Sequence, residues 1–221
     1  MVAAIGDILG AAVGVAISPV PIIAVILMLF TSKATANSLS FLAGWLVGLS
    51  AAGLIVLSLG LEASNGEDAN GGGVAKIAIG ALFVVLGAKQ WSNRPRGDEE
   101  PQLPGWMASI DEFNAVKAFG LAFVLSAVNP KNLGLTIAAV ASIGSHGLET
   151  GEEIGVLAVF VVIASLTVAV PVLLNLILGS RAERTLTEMK NWLEANNNTV
   201  MAVLFVVLGA KVLGDGIAAI A

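Results

Sequence analysis

Six stretches of this chain are long, continuous and apolar: 5–30, 39–61, 74–91, 116–143, 154–178 and 197–220. A hydrocarbon core of ~30 Å takes roughly 20 apolar residues in an α-helix. In lipid every backbone polar group must find its partner inside the protein, which leaves helices and closed barrels as the spanning structures. Barrel strands would alternate in hydropathy over about ten residues, and these runs do not alternate. The fold class they dictate is an all-α membrane protein with six transmembrane helices. Charged residues make up 12% of the chain, about half the fraction of a soluble domain. The two weakest runs are the third, whose uncharged stretch lies between Lys76 and Lys89, and the sixth, which contains Lys211 and Asp215. No basic segment precedes the first run, which continues through Pro19 to Phe30, so it is expected to be retained as a helix rather than cleaved as a signal peptide.

The weak runs support each other through a repeat. Leu-Phe-Val-Val-Leu-Gly-Ala-Lys occupies 82–89 and again 204–211. A second echo pairs Ala16-Ile17-Ser18-Pro19-Val20-Pro21 with Ala127-Val128-Asn129-Pro130-Lys131-Asn132. The chain therefore reads as a first three-helix repeat at 1–91, a cytoplasmic linker with an amphipathic segment at 92–115, and a second three-helix repeat at 116–221. The offset between copies is 111 residues for the proline segments and 122 for the octapeptide, so the extra length falls in loops of the second half.

Charge sets the orientation. Six spans divide the loops between two sides. One side carries Lys33, Lys89, Arg94, Arg96, Lys117, Arg181, Arg184 and Lys190, and the other only Lys76 and Lys211. Basic residues accumulate on the cytoplasmic side, whereas Asp and Glu carry little orienting weight. Both termini are then extracytoplasmic. Three spans per half is an odd number, so the second half enters from the opposite side and the repeats are inverted. Two stretches on the cytoplasmic side, Trp106/Met107/Ile110/Phe113 and Leu186/Met189/Trp192/Leu193, have helical apolar spacing and read as interfacial helices. The connection at 62–73, rich in glycine, reads as a flexible outer loop.

Ser18-Pro19 and Asn129-Pro130 lie near the middle of spans one and four. Proline removes a backbone donor and clashes with the preceding turn, whereas Ser or Asn followed by Pro is a helix start. Helices one and four are thus expected to be broken at proline, each into two half-helices. Pro171 in span five has no such counterpart and reads as a packing kink. Beside the second break stands Lys131, whose placement near a helix centre costs about 2.5–3.5 kcal/mol on insertion scales. No Asp or Glu lies at similar depth, with Asp7 and Asp215 near the outer ends. A lysine without a matching acid, near two half-helix N-termini, points to an anion-seeking site for a carboxylate, phosphate or sulfate. The expected substrate-binding residues are Ser18, Pro19, Pro21, Asn129, Pro130, Lys131 and Asn132. Thr167 and Asn175 in span five either line the cavity or bond neighbouring helices. Lys89 and Lys211, which end the octapeptides, read as snorkelling side chains.

With these two segments the sequence resembles the Sap/GAP family of sulfolipid and peptidoglycolipid addressing proteins, within the LysE transporter superfamily. The likeness covers nearly the whole chain, and Asn129-Pro130-Lys131-Asn132 is its more specific motif. The superfamily's amino-acid exporters typically carry Pro-Gly-Pro in the first span, where this chain has Pro19-Val20-Pro21. The resemblance implies export of an anionic cell-envelope glycolipid or related substrate across a bacterial plasma membrane of the actinobacterial type.

Other chemistries lack their residues. There is no cysteine, hence no disulfide or thiolate metal site. No nucleotide-binding loop of the form G-x-x-x-x-G-K-[ST] occurs, so energy would come from an ion gradient, a partner or the lipid's own gradient. No paired carboxylates or Ser-His pair share a membrane depth, so no catalytic residue, metal site or cofactor is expected and the chain is not read as an enzyme. The expected partner is a membrane lipid or an anionic small molecule, not nucleic acid, with room for a homodimer or for envelope lipid export machinery. The competing readings are a LysE-like exporter of amino acids or small solutes and a non-transporting accessory subunit of a lipid export machine.

Overall fold

Residues 1–59, 69–95 and 104–220 are described by a computed structural model of the chain; the connection at 62–73 lies largely outside them. The described residues form eight α-helices: α1 (Val2–Ala16), α2 (Pro19–Leu29), α3 (Ala34–Ser58), α4 (Ala69–Ser92), α5 (Ala115–Phe123), α6 (Pro130–Gly144), α7 (Thr150–Leu178) and α8 (Glu183–Ile220). Short 3-10 helices at Gly105–Glu112 and Gly179–Ala182 and a π turn at Val124–Val128 connect them, and no strand occurs among the described residues. Ala34–Ser58 and the helical run Thr150–Ile220 are each long and apolar enough to cross a membrane. Two further candidates are bent pairs. α1 meets α2 at 53°, and α5 with its π turn meets α6 at 57°.

The chain divides into two compact units. The first comprises Met1–Ala63 and Leu103–Asn191. Its helices bury stripes at helical spacing: Ala4, Ile8, Ala12 and Val15 on α1, and Phe160, Ala164, Val168 and Val172 on α7. α3 buries Phe41, Trp45 and Leu49 completely. Glycine lets α3 approach α5. A Cβ at Gly44 would collide with the Phe119 carbonyl oxygen, and one at Gly48 with Ser126 Oγ. Small residues at such spacing are the usual device for close helix packing where lipid supplies no hydrophobic drive. The partnerships run in parallel: α1 packs on α7 as α5 packs on α3, and α2 packs on α7 as α6 packs on α3.

The opposite faces are apolar too. Leu9 and Val13 of α1, Val47 and Leu54 of α3, and Val162, Leu166 and Val170 of α7 are all exposed. Helices apolar on both the packed and the exposed face belong in lipid. The protein is membrane-embedded.

The second unit, Ser64–Gln102 with Trp192–Ala221, pairs α4 with the later turns of α8. The repeated octapeptide makes this contact. A Cβ on Gly87 of the first copy would lie 3.1 Å from Ala202 O, and one on Gly209 of the second would lie 2.9 Å from Gly80 O. Phe83 and Phe205 meet at 5.6 Å between ring centroids. Lys89 is exposed, and Lys211 pairs with Asp215 at 3.1 Å on the α8 surface.

The stretch expected as an interfacial helix at Trp106–Phe113 is instead the 3-10 helix Gly105–Glu112, which starts after Pro104. In a 3-10 helix residues three apart eclipse. Met107 and Ile110 accordingly bury together at 7% and 2% exposure. Asn37 Nδ2 holds the end of this segment by donating to Phe113 O at 3.0 Å. The second such stretch is part of the continuous helix α8. Pro171 sits inside an unbroken α7.

Candidate functional site at the meeting of two helix breaks

A helix leaves its last four carbonyls without intrahelical partners, and buried carbonyls must find donors elsewhere. In α1 the ladder still closes at Ile17 N–H, which donates to Val13 O at 2.8 Å. Beyond it the sequence withdraws the donors. Pro19 has no N–H for Val15 O, and Pro21 has none for Ile17 O. Ser18 N–H turns to Ala16 O at 2.8 Å, which deprives Gly14 O of its i+4 partner.

Side chains take over these four acceptors. Ser18 Oγ donates to Val15 O at 2.6 Å. Thr167 Oγ1, from α7, donates to Ala16 O at 2.6 Å. Lys131 reaches across from α6, and its Nζ donates to Gly14 O at 3.0 Å, Ile17 O at 3.1 Å and Ser18 Oγ at 2.6 Å. An ammonium carries three donors, and all three are engaged. Lys131 belongs to the first turn of α6, where the helix dipole disfavours a cation. Its charge lies instead at the C-terminal end of α1, where the dipole favours it.

The second break uses different means. The π turn lets Asn129 N–H donate to Val124 O at 3.1 Å, across five residues. Asn129 Oδ1 then accepts from Lys131 N–H at 3.0 Å, a side-chain cap on α6. Asn132 Nδ2 donates to Leu125 O at 2.9 Å, and its Oδ1 lies 3.4 Å from Ser18 Oγ. Thr136 Oγ1, one turn on, donates to Asn132 O at 2.9 Å.

Of the residues expected at the site, Ser18, Lys131 and Asn132 are in mutual contact and buried, at 5%, 7% and 1% exposure. Asn129 is half-buried and joins through its cap. Pro19 and Pro21 are buried and act through the N–H groups they lack. Pro130 is exposed and starts α6. The structure departs from the sequence reading in two respects. Ser18 stands at the N-cap position of α2 but makes no side-chain cap bond, because its hydroxyl turns back to Val15 O. The Lys131 ammonium has no carboxylate partner, yet protein oxygens, mostly backbone, occupy it fully. The missed participants are the carbonyls of Gly14 and Ile17. Counting four residues back from each proline would have found Val15 and Ile17. Thr167 bonds a neighbouring helix, one of the two roles open to it.

Among the described residues no three His, Asp or Glu side chains gather in a way that could hold a metal ion. Comparisons with curated proteins and with solved structures give no match. A family model described as Sap, sulfolipid-1-addressing protein matches residues 8–218. That match takes in both breaks and the octapeptide pair, and the chain belongs to the Sap sulfolipid-1-addressing protein family.

Proposed function

We propose that this protein translocates an anionic cell-envelope glycolipid, or a related substrate, across a bacterial plasma membrane by alternating access around the two helix breaks. The observation that carries the proposal is the buried Lys131 ammonium bridging α6 to the donor-poor end of α1. Charge-assisted bonds to an anionic oxygen are roughly twice as strong as those between neutral groups. An arriving sulfate or phosphate oxygen therefore competes with Gly14 O and Ile17 O for the ammonium. Each exchange loosens α1 from α6, which couples binding to movement between the two half-helix pairs. The sulfolipid in the family's name is an anion of this kind.

The proposed topology is six spans in two inverted three-helix repeats, as in LysE-type transporters, with both termini extracytoplasmic. Supporting it are the similar bends of 53° and 57° at equivalent proline segments, the parallel packing of α1 on α7 and α5 on α3, and the basic bias of one set of loops.

The test is transport. Purified protein in liposomes is given labelled sulfated and phosphorylated lipids and, separately, labelled amino acids. Lipid movement that Lys131→Ala and Pro130→Ala abolish is the expected result. Equal movement by wild type and Lys131→Ala sinks the assignment, and movement of amino acids alone makes the chain a solute exporter. A second reading, an accessory subunit of an export machine, draws on the saturation of the Lys131 donors by the fold itself. It predicts movement of no substrate by the purified chain.

A further inference from the structure

A cavity of about 340 Å³ lies within the first unit, away from the breaks, where the C-terminal ends of α2 and α7 meet the start of α8. Its polar lining is Asn175, Ser180, Glu183 and Thr187, and Leu29, Phe30 and Leu186 supply the apolar part. Phe30 is 42% exposed. No lysine or arginine lines it, and the neighbouring Arg184 is held by Glu188 at 2.8 Å. A phosphate or sulfate would meet no cation among the lining residues. The one acid, Glu183, lies in the first turn of α8, where the helix dipole favours its ionised form. Two hydroxyls and an amide can each donate and accept, beside a carboxylate that accepts and an aromatic face. That set matches a group with several neighbouring hydroxyls and an apolar ring face. The next residues of α7 toward the membrane, Leu173, Leu176 and Ile177, are exposed at 49%, 47% and 77%, which suits acyl chains continuing from a polar head.

We propose that this cavity binds the uncharged, hydroxyl-rich glycosyl group of a membrane lipid, as a headgroup site distinct from the anion-binding break. The assignment extends the lipid-translocation reading, but equilibrium binding does not require movement, so the two fail separately.

The full chain in lipid nanodiscs is titrated with monoglucosyl diacylglycerol, phosphatidylethanolamine and phosphatidylglycerol, and retained lipid is counted by native mass spectrometry. Free glucose is added as a competitor. The expected result is a preference of about tenfold for the glucosyl lipid, the worth of one or two hydrogen bonds. Asn175→Leu with Thr187→Val removes that preference, and Glu183→Gln, whose amide oxygen still accepts, keeps it. Wild-type circular dichroism verifies that each variant is folded. Equal retention of phosphatidylethanolamine, or loss of binding in Glu183→Gln, overturns the proposal in favour of an amine site. An unchanged preference in the double variant places the lipid elsewhere and overturns it too. Competition by glucose at the lipid's own concentration reassigns the cavity to a soluble sugar and overturns the headgroup assignment.

Discussion

Replacing Lys131 by Met separates what the ammonium does for the fold from what it does for function. Methionine keeps the length and apolar stem of the side chain and removes only the charged donor. Gly14 O then loses its partner inside the protein, which costs about 1–3 kcal/mol. Ile17 O loses one as well, and since Ile17 is exposed to lipid rather than water, the cost there is of the same size, about 1–3 kcal/mol. The favourable alignment of the cation with the C-terminal dipole of α1 is also lost, worth about 1 kcal/mol in a partly buried setting. Against these losses, a cation no longer has to be held near the middle of a broken span, which relieves about 2.5–3.5 kcal/mol. Ser18 Oγ still donates to Val15 O. The opposing contributions partly cancel, and Lys131→Met is expected to cost no more than about 4 kcal/mol. Lys131→Glu is different in sign and size. It keeps the burial cost of a charge, supplies no donor in its ionised form, and turns a negative group toward carbonyl oxygens and the negative end of a helix. It is expected to cost up to about 4 kcal/mol more than the Met variant, the limit set by protonating the carboxyl at pH 7 in place of burying its charge. The assay is reversible unfolding in mixed micelles titrated with sodium dodecyl sulfate, with lipid movement measured in parallel. A folded, transport-dead Met variant and an unfolded or scarcely inserted Glu variant are the expected results. A Glu variant as stable as Met would refute the carbonyl accounting, and a Met variant that still moves anionic lipid would refute the functional role of the ammonium.

Gly44→Ala places a methyl group against the Phe119 backbone and is expected to destabilise by about 1–3 kcal/mol. Gly10→Ala on α1 meets nothing within 4 Å and should stabilise by about 0.5–1 kcal/mol through helix propensity; unfolding of the two variants in the same micelles reads the contrast. Thr167→Val removes a donor from Ala16 O, which retains Ser18 N–H, and a loss of about 1 kcal/mol is expected in the same titration. Asn132→Leu strips Leu125 O of its side-chain donor and is expected to cost about 1–3 kcal/mol. It should also raise amide exchange in the π turn, measurable by hydrogen–deuterium exchange, where Thr136→Val should leave the turn protected.

The helical class and the two breaks were legible because their causes are local. A run of apolar residues needs lipid or a core, and a proline without an N–H interrupts the ladder wherever it stands. The contact between the breaks could be anticipated from the repeat, which puts Pro19 and Pro130 at equivalent positions. The partners of Lys131 were not legible. The residue types that announce a counter-charge are Asp and Glu, whereas two of the three acceptors are the backbone oxygens of Gly14 and Ile17, and the third is the Ser18 hydroxyl. The 3-10 form of Gly105–Glu112 was hidden for a related reason. Met107 and Ile110 are spaced by three, a spacing that serves either helix type, and Pro104 with the Asn37 contact to Phe113 decides between them.

Those acceptors also explain why the two proline segments differ as they do. Aligned by the repeat, Ser18-Pro19-Val20-Pro21 faces Asn129-Pro130-Lys131-Asn132. The first copy has a second proline where the second has asparagine, and valine where the second has lysine. Prolines at 19 and 21 withhold N–H groups from two α1 carbonyls, so the first break is rich in acceptors. Lys131 and Asn132 bring an ammonium and an amide, so the second break is rich in donors. Two identical copies would each have met a like partner: prolines facing prolines would leave carbonyls unserved, and lysines facing lysines would repel. The pair works because the two breaks stand at equivalent positions of the sequence repeat and have opposite hydrogen-bonding character. The same division sets what an anion can do there. Under the proposed translocation an anion would compete for the donor side alone, and each bond taken from Lys131 would leave the acceptor side of α1 to find water or another donor.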